Sequence, residues 1–199
     1  MYPAISSFRV KFLSIPIILA TLTAGAFASA RGEFERTLKV SGNVNLQVET
    51  GSGSIDVRTG NSSEVRLVGH IYVNDWFGGG DADAKVKKIE SNPPVQQSGN
   101  DIRIGHIDDP DLKRNVSISY ELVVPASTEL KASSGSGSQT ISGISGTLEA
   151  STGSGSLKIS DIGSSVRAHT GSGSVEIDGA KGSVYARTGS GSIVGVALQ

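Results

Sequence analysis

The sequence predicts an all-β fold, a parallel β-solenoid (β-helix-like) with 18-residue rungs and one short α-helical insertion. The tetrapeptide GSGS opens a repeat at Gly135, Gly153, Gly171 and Gly189, and the step is 18 residues each time. Apolar and polar residues alternate within each repeat, as in strands that bury one face. Because equivalent apolar positions recur one repeat later, each rung can stack on the previous one and bury what a single rung leaves exposed.

The start of the chain is typical of an export signal. Arg9 and Lys11 precede an apolar stretch, Phe12–Ala26, and Ala28-Ser29-Ala30 fits the small-x-small pattern of a cleavage site. The apolar stretch is shorter than the roughly 20 residues that a membrane-spanning helix needs. We therefore predict that residues 1–30 are a cleaved signal peptide, with a membrane anchor as the alternative interpretation.

Composition narrows the functional classes. The formal net charge is −1 and charges of both signs are interspersed, which argues against a nucleic-acid partner, since such partners select a basic patch. The chain has no cysteine, so an exported protein of this kind must be stabilised by packing without disulfides. We expect a location in the periplasm, at the cell surface or outside the cell, with no transmembrane span after signal cleavage.

The exported domain, residues 31–199, divides into three parts. Residues 31–73 alternate as N-terminal rungs and contain the first GSGS, which starts at Gly51, well before the second at Gly135. Residues 74–115 interrupt this pattern and contain a predicted helix and a predicted hairpin. Residues 116–199 hold the regular rungs.

Two short elements are predicted within the insertion. The stretch DADAKVKKIE at Asp81–Glu90 predicts a helix with Asp81 as N-cap, and we expect this helix to cover an open flank of the solenoid. Val95–Ile107 predicts a hairpin that turns at Gly99-Asn100. The strand that follows, Val116–Val124, is the longest alternating segment in the sequence.

Residues one repeat apart should form columns along the stack. A column of alanines predicts a narrow interior, and the next inward column predicts an internal threonine ladder beside the corner. Outward positions should place Glu149 beside Arg167 and Lys158 beside Glu176, pairs of opposite charge that favour this register modestly. The inward columns are Ala150, Ala168, Ala186 and Thr152, Thr170, Thr188.

The sequence stops within a rung, at Gln199. Solenoids need a polar cap at each end. We therefore expect either that a partner covers the last rung, a second copy joined end to end included, or that the natural chain continues.

Several stretches of the chain resemble one known family. The run ISYELVVP at Ile118–Pro125, then Leu130-Lys-Ala132, then the GSGS units is similar to the bacterial "putative adhesin" β-strand-repeat family of unknown function, as is Glu33–Leu38 followed by Val44–Gly51. The resemblance covers the whole exported domain and implies an envelope-facing β-helix-like solenoid without catalytic residues. The GSGS units are more regular than the family's degenerate repeats, and the sequence ends earlier than its longer members.

The glycine pairs are interpreted as structural corners. A phosphate-binding loop requires G-x-x-x-x-G-K-[ST], and a dinucleotide loop requires G-x-G-x-x-G before a helix. Neither pattern occurs at any GSGS, and a catalytic loop has no reason to recur five times. The predicted corner residues are Gly51, Gly53, Gly135, Gly137, Gly153, Gly155, Gly171, Gly173, Gly189 and Gly191.

No metal, cofactor or catalytic centre is predicted. His70, His106 and His169 lack the spacing of metal ligands. Carboxylates at Asp108, Asp109 and Asp111 could hold a hard cation, although a solvated turn around Pro110 is the preferred interpretation. Glycoside chemistry needs a carboxylate pair in one groove, whereas Glu149 and Glu176 fall in different outward columns.

The loop NDWFGGG is the best binding candidate. It holds Asp75, Trp76 and an adjacent Phe77, followed by three glycines. Aromatic side chains anchor interfaces and stack on sugars, although these two could instead pack the predicted helix onto the solenoid.

We therefore expect a non-catalytic, adhesin-like or scaffolding module at the bacterial cell envelope, with a cell-surface polymer or an envelope protein as partner. Two alternatives stay open. Many β-helices are carbohydrate-active enzymes, and an exported repeat protein could also be a regulatory component linked to envelope stress.

Overall fold

The computed structural model describes residues 28–61, 63–75 and 81–198. The predicted signal peptide therefore lies almost entirely outside the described residues. Within the described part, fifteen strands and two short helices are present, and no helix there is long and apolar enough to cross a bilayer.

The first half of the chain contains six strands and two short helices among its described residues. The predicted helix is present, although Asp81 precedes it without a side-chain capping bond. The elements are β1 (Ala28–Lys39), β2 (Val44–Thr50), β3 (Ile55–Thr59), β4 (Glu64–Asp75), α1 (Ala82–Ser91), β5 (Val95–Ser98), β6 (Asp101–Ile104) and α2 (Pro110–Lys113).

The second half consists of strands alone. Alternating burial along each strand reflects the alternating sequence. The elements are β7 (Val116–Val124), β8 (Thr128–Ser134), β9 (Gln139–Ser142), β10 (Leu148–Ser154), β11 (Leu157–Ile162), β12 (Val166–Ser172), β13 (Val175–Ala180), β14 (Val184–Ser190) and β15 (Ile193–Leu198).

The strands form two mixed sheets, which confirms the all-β prediction. The eight-stranded sheet has the order β1-β4-β7-β3-β9-β11-β13-β15, and the seven-stranded sheet has the order β14-β12-β10-β8-β2-β6-β5. Neither sheet closes on itself. The repeat strands pair in parallel and β5 and β6 form an antiparallel hairpin, both as predicted. The pairs of β1 with β4 and of β4 with β7 are also antiparallel, so the expectation that the N-terminal strands continue the parallel rungs is wrong for β1 and β4.

The repeats alternate between the two sheets. Each GSGS leads from a strand of the seven-stranded sheet to a strand of the eight-stranded sheet, and each repeat strand pairs in parallel with the equivalent strand of the next repeat. The first GSGS lies directly beside the second, although the insertion separates them in sequence. The Gly135 amide donates to the Thr50 carbonyl at 3.0 Å, and β2 and β3 pair in parallel with β8 and β9.

The insertion adds to both sheets. The hairpin of β5 and β6 turns at Gly99, where the backbone has a φ of +61°, and it extends the seven-stranded sheet beyond β2. Helix α1 then packs on β1 and β4, and Val86 occupies the space that a side chain at Gly32 would need. Its buried residues are Ala82, Val86 and Ile89, so the expectation that the helix covers a flank is confirmed.

One expectation about strand length is wrong. Strand β7 has nine residues, whereas β1 and β4 have twelve each. Each of the two longer strands carries a glycine that another side chain covers, and a bulky ring explains one of these glycines. Gly69 lies under the ring of Phe34, where a Cβ would collide with the ring atoms, and Phe34 in turn packs edge-on against Tyr120 at 6.5 Å between centroids.

The predicted columns are present on both faces of the stack. Ala150 pairs with Ala168, which pairs with Ala186, and Glu149 lies beside Arg167. Lys158 likewise lies beside Glu176 on the eight-stranded sheet. The core between the sheets is closely packed, with Ala168 fully buried.

The threonine ladder points inward, as predicted, and bonds to the corners. Thr152 donates to the Gly137 carbonyl at 3.0 Å, and Thr170 donates to the Gly155 carbonyl at 2.9 Å. Thr188 makes the same 2.9 Å bond to Gly173. Each hydroxyl therefore ties its own rung to the preceding corner.

The first glycine of each corner tolerates no side chain where another rung lies below it. A Cβ at Gly153, Gly171 or Gly189 would come within 2.6 Å of the carbonyl oxygen of the equivalent glycine in the preceding rung. Gly51 occupies the same place in its tetrapeptide, yet a Cβ there would meet nothing within 4 Å.

This difference predicts that substitution by alanine destabilises the protein more at Gly153 than at Gly51. We expect Gly153→Ala to lower the free energy of unfolding by about 1–3 kcal/mol, because the corner must shift to admit the methyl group. The matched Gly51→Ala variant should stay within about 0.5 kcal/mol of the original protein. Urea unfolding followed by circular dichroism measures both. Equal free energies for the two variants would show that the corners are not in close contact.

The threonine bonds predict a second effect. Thr170→Val keeps the shape of the side chain but removes the donor to the Gly155 carbonyl, which should cost about 1–3 kcal/mol of unfolding free energy. Thr140→Val, at an exposed position of β9, is the control and should change the free energy by at most about 0.5 kcal/mol. Thermal unfolding of both variants measures the effect. A smaller loss of stability in Thr170→Val than in Thr140→Val would contradict the contribution of the threonine bonds to stability.

Candidate functional site

The predicted binding loop lies largely outside the described residues. Trp76 and Phe77 belong to the segment 76–80, which the structure does not describe, and Asp75 is the last residue of β4. The Asn74 amide donates to the Asn115 carbonyl at 3.0 Å. The loop therefore starts beside the segment that leads into β7.

The three histidines lie apart, and two of them each lie between two carboxylates. His70 contacts Glu33 through Nδ1 and Glu121 through Nε2, both at 3.2 Å. His169 is exposed on β12 and lies between Ser151 and Arg187 of the neighbouring strands. Within the described residues, no group of three or more histidine and acidic side chains is arranged to hold a metal ion.

His106 is the most constrained of the histidines. Its Nδ1 lies 2.8 Å from Glu49 Oε1, and its Nε2 lies 3.0 Å from Asp108 Oδ1. The hydrogen bond to Glu49 and the charges of Asp108 and Glu49 raise the pKa of His106 above its ordinary 6.5. The contact fixes the loop after β6 to the end of β2.

The acidic run IDDPDLK is occupied by internal contacts. Asp109 caps α2 by accepting from the Asp111 amide at 3.0 Å, and Lys88 of α1 donates to Asp109 at 2.8 Å. The bond from Lys88 holds the pKa of Asp109 below its ordinary value, and the same contact raises the pKa of Lys88. The run thus connects the two helices.

Glu149 and Glu176 cannot act as a catalytic pair. Glu149 is exposed on β10 of the seven-stranded sheet, whereas Glu176 is exposed on β13 of the eight-stranded sheet. Their outward side chains therefore lie on opposite faces of the stack. Glu149 instead pairs with Lys131 at 3.4 Å.

A charged groove lies on the outer face of the eight-stranded sheet, and we call it the outer groove. Its volume is about 520 Å³, within the usual range for ligand sites. Arg66 pairs with Glu64 at 2.6 Å inside it. The charged residues that line it are Glu35, Asp56, Arg58, Glu64, Arg66 and Glu121.

The outer groove was not predicted, because its charged side chains come from four separate strands. Glu35 stands on β1, Asp56 and Arg58 on β3, Glu64 and Arg66 on β4, and Glu121 on β7. No single strand carries an acidic cluster, and only the order β1-β4-β7-β3 brings the four strands together. The sequence offered one signal for these residues. The alternation within each strand places them on the outward face of that strand.

The comparisons with known proteins support the fold. No family model and no curated protein matches this sequence. A solved structure described as a "putative cell adhesion protein" from Clostridium sporogenes is similar, with a TM-score of 0.52 and 12% identity, covering 85% of this chain and 100% of that one.

Two further solved structures are more distant. A "putative adhesin" from Bacteroides fragilis has a TM-score of 0.29 at 15% identity, covering 84% of this chain and 96% of that one. A "putative lipid binding protein" from Parabacteroides distasonis has a TM-score of 0.26 at 10% identity, covering 84% and 97%. Of these three, the Clostridium structure alone supports the fold, since the other two scores are too low to carry an argument.

The His106 contacts predict a measurable titration. We expect Glu49→Gln to lower the pKa of His106 more than Asp108→Asn does, because the bond to Glu49 is the largest cause of the raised value. Proton NMR of the imidazole across pH gives both values. A larger decrease of the His106 pKa in Asp108→Asn would show that Asp108, and not Glu49, is the main cause of the raised value.

The same contact has a defined effect on stability. Because the folded pKa is raised, the contact should stabilise the protein fully below pH 6.5, the ordinary value for histidine. This stabilisation should disappear as the pH rises through the raised pKa of His106. A His106→Gln variant, unfolded by urea at several pH values, should lose this dependence.

Proposed function

We propose that the protein is a non-catalytic, adhesin-like or scaffolding module at the bacterial cell envelope, and that its outer groove binds a polar cell-surface polymer. The observation that carries the proposal is the outer groove itself. Six charged side chains from four paired strands line one face. A hydrogen-bonded sheet holds them in fixed positions, which reduces the ordering that binding would otherwise require.

Charge of both signs suits such a polymer. Arg58 can bind carboxylate or phosphate groups, because its guanidinium offers paired donors. Arg66 bonds Glu64 through Nε and one terminal nitrogen, which leaves its other terminal nitrogen for a ligand. Glu35, Asp56 and Glu121 can accept hydrogen bonds from hydroxyl groups. Fold similarity to a structure described as a "putative cell adhesion protein" is in line with this function.

The finer architecture belongs to the same proposal. We infer that the repeat strands form a β-solenoid, in which GSGS turns one corner of every 18-residue rung. Parallel pairing at that spacing and the ladder of hydroxyl bonds support it. Residues 1–30 act in this proposal as the signal peptide that exports the domain.

Two further contact surfaces belong to the proposal. The loop with Trp76 and Phe77 would supply aromatic contacts to a partner. Copies of the chain would also associate end to end through β14 and β15, where Ile193, Val194 and Val196 are exposed. Sedimentation over a range of protein concentrations tests this association, and a monomer at every concentration would refute it.

The binding proposal is tested by removing the groove's cations. We expect Arg58→Ala combined with Arg66→Ala to weaken binding to bacterial cells or isolated cell-wall polymer about tenfold, because the anion contacts are lost. Arg167→Ala on the other sheet is the matched control and should bind normally. Equal binding by all three proteins would exclude the outer groove, and a Trp76→Ala variant would then show whether the loop binds instead.

One observation favours a second candidate, a carbohydrate-active enzyme. The carboxylates of Glu35, Asp56 and Glu121 line one groove, which is the kind of arrangement that glycoside hydrolysis uses. Incubation with a panel of bacterial polysaccharides tests it by product analysis. Cleavage that is lost in Glu35→Gln or Glu121→Gln would show that the enzyme candidate is right and the non-catalytic proposal wrong. Polysaccharide that binds but stays intact would support the non-catalytic proposal.

A further inference from the structure

A second groove lies beside the first GSGS, where the insertion meets the repeats, and we call it the corner groove. Its volume is about 470 Å³. On one side it is formed by the corners at Gly51 and Gly135. On the other side it is formed by the loop after β6, by α2 and by the start of β7.

The wall that the insertion contributes is apolar. Ile107, Leu112 and Val116 are half-buried side chains that line the groove and pack against the main core. Ile118 also lines it and is almost fully buried. A wall of this kind favours a ligand with an apolar body, because covering it removes apolar surface from water.

Tyr120 places one polar group within this apolar surface. The residue is 1% exposed and lines the groove, and its hydroxyl lies next to Gly105, where a Cβ would be 3.2 Å away. Among the hydrogen bonds of the described residues, those of Tyr120 involve its backbone and none involves its hydroxyl. The hydroxyl oxygen is not among the fully buried side-chain atoms without a partner, so it lies at the surface of the groove, where a ligand can reach it.

The phenol is a donor under ordinary conditions. Burial raises the pKa of Tyr120, and the charge of Glu49 adds to the effect. The group therefore keeps its proton. It can bind an acceptor such as a carboxylate oxygen.

One cation lines the groove without an ion pair among the described residues. Glu49 also lines it, but its carboxylate is bonded to His106 at 2.8 Å. Lys113 is exposed at the groove, whereas Lys88 of α1 is paired with Asp109. The acidic residues of α2 do not line the groove. The charged side chain of the groove that is left without a partner among the described residues is therefore Lys113.

We propose that the corner groove binds a small amphiphile with an apolar chain and one carboxylate head. The chain lies against Ile107, Leu112 and Val116. The head accepts hydrogen bonds from the Tyr120 hydroxyl and from Lys113. This site is separate from the outer groove, so neither depends on the other.

Octanoate is the probe that tests this site. Isothermal titration of the full exported domain should give saturable binding of one octanoate, whereas acetate, which has the head without the chain, should not bind. Lys113→Gln should weaken octanoate binding about tenfold and leave 1-octanol binding unchanged. Lys158→Gln, on the outer face of β11, is the matched control.

The other two contacts have variants of their own. Tyr120→Phe keeps the buried ring and should weaken octanoate several-fold, and Leu112→Ser should weaken octanoate and 1-octanol alike. Helix α2 has no fully buried side chain, so its variants are expected to fold, which circular dichroism checks. Absence of saturable octanoate binding, or undiminished binding by both Lys113→Gln and Leu112→Ser, would refute the site.

Discussion

The close approach of successive corners is the constraint on which the rest of the structure depends. Rungs in a sheet lie about 4.8 Å apart, and at each corner from Gly135 onward the backbone of one rung passes over a glycine carbonyl of the rung before it. A Cβ at Gly153 or Gly171 would come within 2.6 Å of that carbonyl oxygen. Threonine hydroxyls then bond to the carbonyls of the second corner glycines, such as Gly155. Glycine permits the close approach of two rungs, and the threonine hydroxyl bond holds the two rungs in one position.

This constraint determines where a ligand can bind. The inward face of the regular rungs is occupied by buried core side chains such as Ile159 and Ala168. The two grooves proposed as sites occur where the repeat is interrupted. The outer groove forms where antiparallel β1, β4 and β7 extend the eight-stranded sheet, and the corner groove forms where the insertion folds against the first GSGS. Ligand binding is therefore proposed for the irregular half of the domain.

Repetition explains which features the sequence could predict. The 18-residue spacing placed Ala150 beside Ala168 and turned the threonines inward, because one rung repeats the environment of the next. The insertion helix and the Gly99 turn were predicted from local signals. The pairing between distant segments could not be predicted, because no local pattern places β1 against β4 and so brings Glu35 into the same groove as Asp56. Tyr120 belongs to the alternating pattern of Val116–Val124, and only the fold shows its hydroxyl at a groove.

The most direct test of the account is the deletion of one whole repeat. Removing Gly153–Thr170 joins Thr152 to Gly171 and restores the same sequence pattern, so every later rung moves down by one place. Removing only Ile162–Thr170, half of that segment, shifts later strands by half a rung. Urea unfolding of both variants is the measurement. The account predicts a cooperative transition for the whole-repeat deletion and none for the half-repeat deletion. Loss of cooperative folding in both would contradict a structure built from interchangeable rungs.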